Sequence, residues 1–174
     1  MIARAAAAVL ALVLGACALA PPRQTTLPDL AGVPAAFEMS GRLALRQGER
    51  SEIARLRWTH RPGTDLWVFA SPLGNEVARI ESGPGGATLT QAVGGGAQAD
   101  SFAELTERVL GVTLAPETLA TWLHGNSAPG PAAGWSISIE ERQKAGVVDI
   151  ARRLSATRGD VTVRLVVDDY RALD

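Results

Sequence analysis

The sequence predicts an α+β domain dominated by one curved antiparallel sheet, with two short helices near the middle of the chain. Three observations predict this fold class. Short segments in which apolar and polar residues alternate, the period of a half-buried strand, occur on both sides of the middle. Turns rich in glycine and proline separate these segments, as in antiparallel sheets. Between them, residues 101–125 carry an apolar pattern of helical period.

The strands before the helices are predicted from this alternation. The first begins at Phe37, and the second sets Leu56 and Trp58 on one face against arginines on the other. The third is apolar on both faces and ends at a turn, residues 71–74. We place the five strands of this half at residues 37–46, 53–59, 66–70, 76–81 and 87–91.

Two helices are predicted in the middle of the chain. Ser101, followed three residues later by Glu104, forms a capping box at the start of the first helix, and Gly111 ends that helix. Pro116 lies near the start of the second helix, and Gly125 marks its end. The two apolar stripes consist of Phe102, Leu105 and Val109 in the first helix and of Leu119, Trp122 and Leu123 in the second. Neither helix is long enough to be stable alone, so both must pack on the sheet.

Strands return after a loop rich in proline and glycine at residues 126–134. Trp135, Ile137 and Ile139 alternate with polar residues, and so do the valines and the leucine of residues 161–167. A weaker strand pattern covers residues 147–157. The order of strands, two helices and strands is that of an α+β domain.

The N-terminal residues predict an export signal and a lipid anchor. Arg4 supplies a positive charge, and residues 5–14 form an apolar run that is shorter than the about 20 residues needed to span a bilayer. The run ends in Leu-Gly-Ala-Cys, which resembles the lipobox of bacterial lipoproteins, cut before Cys17 and acylated on its thiol. The alternative is a plain secretory signal followed by an incidental cysteine. Since Cys17 is the only cysteine, no disulfide within the chain and no cysteine metal cluster can form.

The signal sets the predicted domain organisation. We divide the chain into a lipoprotein signal peptide at residues 1–16, a lipidated proline-rich tether at residues 17–35 and one folded domain at residues 36–174. An aspartate after the lipidated cysteine commonly retains lipoproteins in the inner membrane. Ala18 stands there in this chain, which resembles an outer-membrane address.

Charge and motifs exclude several classes of function. The chain has 17 Lys and Arg against 18 Asp and Glu, so no basic field favours a nucleic-acid partner. We interpret His60 as a turn histidine and His124 as a helix C-terminal cation, because neither has a Glu or His at metal-ligand spacing. No GxSxG motif is present, and the glycine runs are hairpin turns rather than phosphate loops. We therefore expect no catalytic residue, no metal and no cofactor.

Apolar residues on the predicted inner strand faces are the remaining signal. They are Leu43, Leu45, Leu56, Trp58, Leu66, Val68, Trp135, Ile137, Val163 and Leu165. The amphipathic helices could close over them. Periodicity cannot separate a packed core from a cavity, so both stay open at this point. Arg55 and Arg57 lie on the outer face, where a solvated surface is favoured over contact with lipid head groups.

Six short stretches carry a resemblance to a known family. They are FEMSGRL at 37–43, LRWT at 56–59, SPLG at 71–74, LGV at 110–112, LATWLHG at 119–125 and GW at 134–135. In this order behind a lipobox they resemble the LolB family, outer-membrane lipoproteins that receive other lipoproteins from a periplasmic carrier. The resemblance covers nearly the whole chain after the signal.

The resemblance implies a non-enzymatic receptor. Its fold would be an incomplete, unclosed antiparallel β-barrel with short helices as a lid over an apolar cavity for acyl chains, lined by the ten residues above. A LolA-like carrier would deliver the cargo, and the receptor would be a monomer on the periplasmic face of the outer membrane. A protruding loop would place cargo in the membrane with an apolar tip, here Leu73 between Pro72 and Gly74.

Two departures from the family pattern concern the end of the fold. The loop at residues 126–134 is shorter than the family usually has, which leaves the strand count open, and Tyr170 stands where the family has a tryptophan. The alternative function is a non-catalytic scaffold or envelope-assembly lipoprotein with a filled core. An anchored hydrolase would be a third possibility, but no motif supports it.

Overall fold

The computed structural model describes residues 33–125 and 134–173. The predicted signal peptide, Cys17, most of the tether and the loop at residues 126–133 lie outside the described residues. The statements below concern the described part of the chain.

Nine strands form one antiparallel sheet that carries two helices. The elements are β1 (Phe37–Gln47), β2 (Arg50–Arg61), β3 (Thr64–Ala70), β4 (Glu76–Gly83), β5 (Gly86–Gln91), β6 (Gly96–Ala99), α1 (Phe102–Leu110), α2 (Pro116–Leu123), β7 (Ser136–Ala145), β8 (Val148–Arg158) and β9 (Val161–Ala172). The strand order is β6-β5-β4-β3-β2-β1-β9-β8-β7, so β6 and β7 are the two edges and the sheet does not close. The predicted α+β class and unclosed barrel are confirmed.

A bulge bends the central strands of the sheet. The pairing of β1 with β9 shifts register between Ser40 and Gly41. A β-carbon on Gly41 would lie 2.2 Å from the carbonyl oxygen of Val166, so only glycine allows this close approach. Bulges bend and twist a strand, which helps the sheet curl around its inner face.

Both helices begin and end as predicted. The Ser101 side chain accepts a hydrogen bond from the backbone N–H of Glu104 at 3.1 Å, and Glu104 in return accepts from the N–H of Asp100. Gly111 ends α1 in the left-handed region at φ 69°, and its N–H donates to the Glu107 carbonyl. Helix α1 packs on β5 and β6, whereas α2 packs on β8.

The antiparallel order sorts the turns to two ends of the sheet. We call one the mouth end, formed by the turns at residues 48–49, 71–75, 92–95 and 159–160. The other, the closed end, has the turns at 62–63, 84–85 and 146–147. The chain also enters and leaves the domain at the closed end, where the N–H of Leu173 donates to the Ala36 carbonyl at 2.9 Å.

Two expectations about the strands need correction. The short edge strand β6 was not predicted, because its Gly-Ala-Gln-Ala sequence has low β-propensity and it pairs with β5 through its backbone. Leu66 and Val68 do not face the interior. They pair with Thr59 and Arg57 on the outer face, while Asp65, Trp67 and Phe69 point inward. A segment that is apolar on both faces carries no signal for which face is buried.

Candidate functional site

An apolar cavity of about 510 Å³ opens at the mouth end, between the inner face of the sheet and α1. Its walls come from β1 to β5 and its roof from α1. The lining residues are Leu43, Leu45, Glu52, Ile53, Ala54, Phe69, Val77, Ala78, Ile80, Leu89, Gln91, Leu105, Thr106, Val109 and Leu110. Most of these side chains are hydrophobic, so the cavity suits an apolar ligand.

The cavity exists because the inner faces of the strands change along their length. In β1 the inward residues Phe37 and Met39 are fully buried near the closed end, whereas Leu43 remains half-buried near the mouth. In β2 the inward series runs from the bulky Trp58 to the small Ala54. Large side chains therefore fill one end of the interior, and smaller ones leave space at the other.

Helix α1 is held over this space by polar contacts at its sides. The Arg108 guanidinium donates to the Gln98 carbonyl of β6 and pairs with Glu104 at 2.7 Å. On the opposite side, the hydroxyl of Thr106 accepts a hydrogen bond from the backbone N–H of Leu114 at 3.0 Å, which fixes the link to α2. These contacts position the apolar stripe of α1 toward the cavity.

The charged and amide side chains of the lining lie at the rim of the cavity, whereas the buried Thr106 turns its hydroxyl toward the backbone of Ala103 and Leu114. Glu52 shares the inner face of β2 and is paired with Leu45, and Gln91 is paired with Ala78 at the end of β5. Both side chains are exposed to water. An apolar chain could enter while a polar group attached to it stays beside these two residues.

The predicted cavity residues fall into three groups in the structure. Leu43 and Leu45 line the cavity. Six others face the interior but belong to or pack against the filled core around it: Leu56, Trp58, Trp135, Ile137, Val163 and Leu165. Leu66 and Val68 are on the outer face, as corrected above. The sequence thus predicted the inner surface better than the cavity itself.

Several lining residues were missed by the sequence interpretation. Phe69, Ile80 and Leu89 lie in predicted strands, and Leu105 and Val109 were assigned to the apolar stripe of the first helix. The signal that could have identified them is the pairing of that stripe with the inner faces of β3 to β5. Such a pairing depends on how the chain folds back, which periodicity alone does not encode.

Leu73 occupies the tip of the β3–β4 hairpin at the mouth end. The Gly74 N–H donates to the Ser71 carbonyl at 2.9 Å, and the Ser71 N–H donates to the Asn75 carbonyl at 2.8 Å, so the hairpin is a closed, ordered turn. Gly74 adopts φ 92°, a conformation that favours glycine. The Leu73 side chain is 89% exposed and therefore contributes little to the core.

The two histidines belong to a buried cluster at the closed end. His124 is buried, with Nδ1 2.7 Å from the Ala120 carbonyl and Nε2 2.7 Å from the Tyr170 hydroxyl. Burial lowers the pKa of His124, an effect that the hydrogen bond to Ala120 opposes and the nearby His60 reinforces. The expectation of a helix C-terminal cation is therefore wrong, because a neutral imidazole is favoured here.

His60 is also more than a turn residue. Its Nδ1 lies 2.8 Å from Oδ1 of the buried Asp65, which also accepts a hydrogen bond of 2.7 Å from Nε1 of Trp58. The Phe37 ring packs against the rings of Trp58 and His124 with centroids at 4.8 Å and 5.2 Å. The cluster satisfies its buried polar groups internally, which is typical of a structural role.

Other features of the described residues do not compete with the cavity. A shallow depression of about 590 Å³ beside the β5–β6 hairpin is lined mainly by glycines, threonines and glutamines, with Leu89 and Ala97, and lies open to water. In the ranges 33–125 and 134–173, no three His, Cys, Asp or Glu side chains are grouped so that they could hold a metal ion. No described helix combines the length and the apolar character needed to cross a membrane.

Comparison with known proteins gives a consistent result. A family model described as "Outer membrane lipoprotein LolB" matches residues 35–170. The outer-membrane lipoprotein LolB of Chromobacterium violaceum is 34% identical, over 98% of this chain and 100% of its own length. The proteins of that name from Azoarcus sp. and Thiobacillus denitrificans are 30% and 31% identical over 97% and 95% of this chain, and in each the match covers 95% of the relative.

Proposed function

The chain belongs to the LolB family of outer-membrane lipoproteins, and from this membership we propose that it receives lipoproteins by binding their acyl chains and inserts them into the outer membrane. The observation that carries the proposal is the apolar cavity of about 510 Å³ under α1. Ligand sites for small molecules usually measure about 300–1,000 Å³. An acyl chain is the ligand chemistry that such a lining favours.

The energetic need for a cavity follows from the cargo. Each exposed CH₂ group costs about 0.8 kcal/mol, so a chain of ~16 carbons costs on the order of 12 kcal/mol in water. The walls formed by Leu43, Leu45 and Phe69 would replace that water with apolar contacts. Leu89 and Leu105 would cover the chain from the other side.

The direction of transfer would come from differences in affinity. The cavity has to bind acyl chains more favourably than a periplasmic, LolA-like carrier does, and less favourably than the bilayer. A ligand moves between sites only by such differences in free energy, and no nucleotide-binding motif occurs in the sequence to supply another drive. We propose a non-catalytic, monomeric receptor on the periplasmic face.

The residues that line the cavity, those behind it and the one at the hairpin tip would have different roles. Leu43 and Leu45 would contact the acyl chain directly. The interior residues behind the cavity, Leu56, Trp58, Trp135, Ile137, Val163 and Leu165, would keep its walls rigid. Leu73, exposed at a hairpin tip, would contact the membrane during delivery.

The anchor is proposed from the lipobox. Residues 1–16 would be removed, Cys17 would carry the lipid, and the following residues up to 35 would connect the anchor to the folded domain. Cys17→Ser should block the incorporation of labelled palmitate, because the chain has no other cysteine. Equal incorporation into the variant would contradict the assignment.

The function is tested by displacing a fluorescent fatty-acid probe from the folded body, residues 35–174, with a triacylated lipopeptide. We expect saturable displacement by the lipopeptide and none by its unacylated form. Depletion of the protein in cells should then leave outer-membrane lipoproteins in the wrong compartment. A folded body that binds no acyl probe would instead favour a scaffold with a filled core.

A further inference from the structure

Large apolar side chains that water reaches are concentrated at the mouth end. Among the described residues, the exposed large apolar ones at or around the mouth are Ile53, Leu73, Val77, Val93 and Val109. One more, Val147, lies at the closed end and is fully exposed. Exposed apolar side chains grouped on one surface are typical of a site that contacts a protein or a membrane.

Val93 is the most exposed of the five. It lies at the tip of the β5–β6 hairpin, and its side chain is 91% exposed, like the 89% of Leu73. The Ala92 N–H donates to the Val77 carbonyl at 3.0 Å, which ties this hairpin to the first residues of β4. Since β4 and β5 are neighbours, the β3–β4 and β5–β6 tips both project from the mouth end. They lie about two strand spacings, or roughly 10 Å, apart.

Neither tip carries a charge. Residues 89–99 contain no Asp, Glu, Lys or Arg, and the same holds for residues 71–75, although charged residues make up 20% of the chain. Turns that face only water usually present polar side chains, whereas a charged group is the one that a bilayer excludes most strongly. An uncharged tip with one apolar side chain suits the lipid interface better than water.

We propose that the tip of the β5–β6 hairpin, at Val93, is a second membrane-contact point. Together with Leu73 it holds the mouth of the cavity against a phospholipid bilayer. The inference rests on the proposed function, because it assumes that the cavity empties into a membrane. Val77 lies between the tips at the cavity rim. A chain leaving the cavity would therefore pass directly into the lipid.

The length of the tether allows this orientation. The domain begins at the closed end, and β1, from Phe37 to Gln47, carries the chain over about 35 Å to the mouth end. The residues between Cys17 and Val33 can span up to about 50 Å when extended, at ~3.3 Å per residue. An anchor at Cys17 and a mouth facing the same membrane are thus compatible.

Because the tether would hold the domain near the membrane, weak contacts of the two tips with lipid are sufficient to orient it. One buried valine improves a partition constant only by a factor of roughly ten. A body already held near the surface has a high effective concentration there, so a small gain can set its orientation. The two tips would orient the molecule, and the lipid would anchor it.

The direct test uses the full-length, lipidated protein in vesicles of phosphatidylethanolamine and phosphatidylglycerol. Single cysteines replace Val93, Leu73 or Val147, and each carries an environment-sensitive fluorophore. We expect lipids bearing a quencher to reduce the fluorescence at positions 93 and 73 strongly and at position 147 weakly. Val147 is the matched control, because it is an equally exposed valine at a hairpin tip of the closed end.

Activity gives a second test. Val93→Glu should slow lipoprotein transfer into vesicles about fivefold to tenfold, the size expected from losing one valine contact. Val93→Ser should slow it less, and Val147→Glu should leave it unchanged. Melting temperature and acyl-probe affinity should be normal in all three variants.

Three outcomes would overturn the proposal. Quenching at position 73 without quenching at position 93 would show that only one tip meets the bilayer. Equal quenching at position 147 would show a body lying without preferred orientation. A fluorescence change at position 93 that needs no vesicles and grows with protein concentration would show contact between copies. A wild-type protein that binds no acyl probe would instead contradict the proposed function, whatever position 93 shows.

Discussion

The mouth end and the closed end of one sheet use the same strands for opposite purposes. At the closed end, Phe37 and Trp58 are fully buried and pack edge to face. At the mouth end, the inward residues of the same two strands leave a cavity. Large side chains and satisfied polar groups stabilise one end, so the other can remain unfilled. Packing that stabilises the fold and open space for a ligand are thus separated by position along a single strand.

The largest expected effect is loss of stability at the closed end. Trp58→Ala should lower the free energy of unfolding by about 3–5 kcal/mol, because it removes a buried aromatic side chain and leaves Asp65 with one hydrogen-bond donor fewer. Chemical denaturation checks this value. Acyl-probe binding should fall only in proportion to the folded fraction, and a selective loss of binding by a stable variant would contradict the division between the two ends.

A matched pair of substitutions should affect the two ends differently. Leu43→Asp and Leu56→Asp each place a carboxylate on the inner face of the sheet, the first in β1 and the second in the adjacent β2. At the half-buried Leu43 the carboxylate can reach water, so the protein should fold while probe affinity falls by about tenfold or more. At Leu56, which is 2% exposed, it should lower the melting temperature strongly. Similar melting temperatures for both variants would refute the proposed difference.

The pH dependence of stability should originate at the closed end. Because burial holds the pKa of His124 below its usual 6.5, the unfolded chain takes up a proton that the folded protein resists. Stability should therefore be unaffected by this group above pH 6.5 and should decrease as the pH falls below it. Denaturant midpoints between pH 5 and pH 8 measure the slope, and His124→Gln should reduce it.

Tyr170, the hydrogen-bond partner of His124, should make stability depend on pH in the alkaline range. Burial raises the pKa of Tyr170 from 10.0 to about 12, which keeps its hydroxyl able to donate to His124. Between these two values the unfolded chain loses a proton that the folded protein retains, so stability should fall as the pH rises through this range. Tyr170→Phe should remove that contribution, and an unchanged alkaline slope in this variant would exclude Tyr170 as its source.

The smallest effect on stability is expected at the hairpin tip of the mouth end. Leu73→Glu should leave the melting temperature and probe affinity unchanged, because the side chain is 89% exposed. Transfer of cargo into liposomes should nevertheless slow, since a charge at the tip opposes contact with lipid. A fall in melting temperature would mean that Leu73 packs as core, and normal transfer would mean that the loop has no role in delivery.

The sequence predicted the bounds of helices and the inward strand positions better than it predicted which part of the interior is filled. Capping signals at Ser101 and Gly111 are local, so the bounds of α1 could be predicted closely. The inward positions of β1 and β2 followed from strict alternation. The same alternation cannot say whether large side chains meet across the sheet, so the sequence could not distinguish Leu45 beside a cavity from Leu56 in a packed core.

Other residues could not be predicted for related reasons. Leu66 and Val68 lie in a segment without alternation, so their face was undetermined until β3 paired with its neighbours. Burial lowers the pKa of His124, and the residue that its Nε2 meets in the interior is Tyr170, 46 positions away in the chain. Contacts of this kind are set by the fold and are not visible in local patterns.

We propose that an acyl chain occupies the cavity at the mouth end. The most direct measurement is paramagnetic broadening of leucine methyl signals in the folded body by a fatty acid with a spin label on its chain. We expect strong broadening for the cavity-lining Leu43, Leu45, Leu89 and Leu105 and much weaker broadening for Leu123 and Leu173 at the closed end. Binding with equal broadening of both groups, or broadening confined to the second group, would show that the acyl chain does not occupy this cavity.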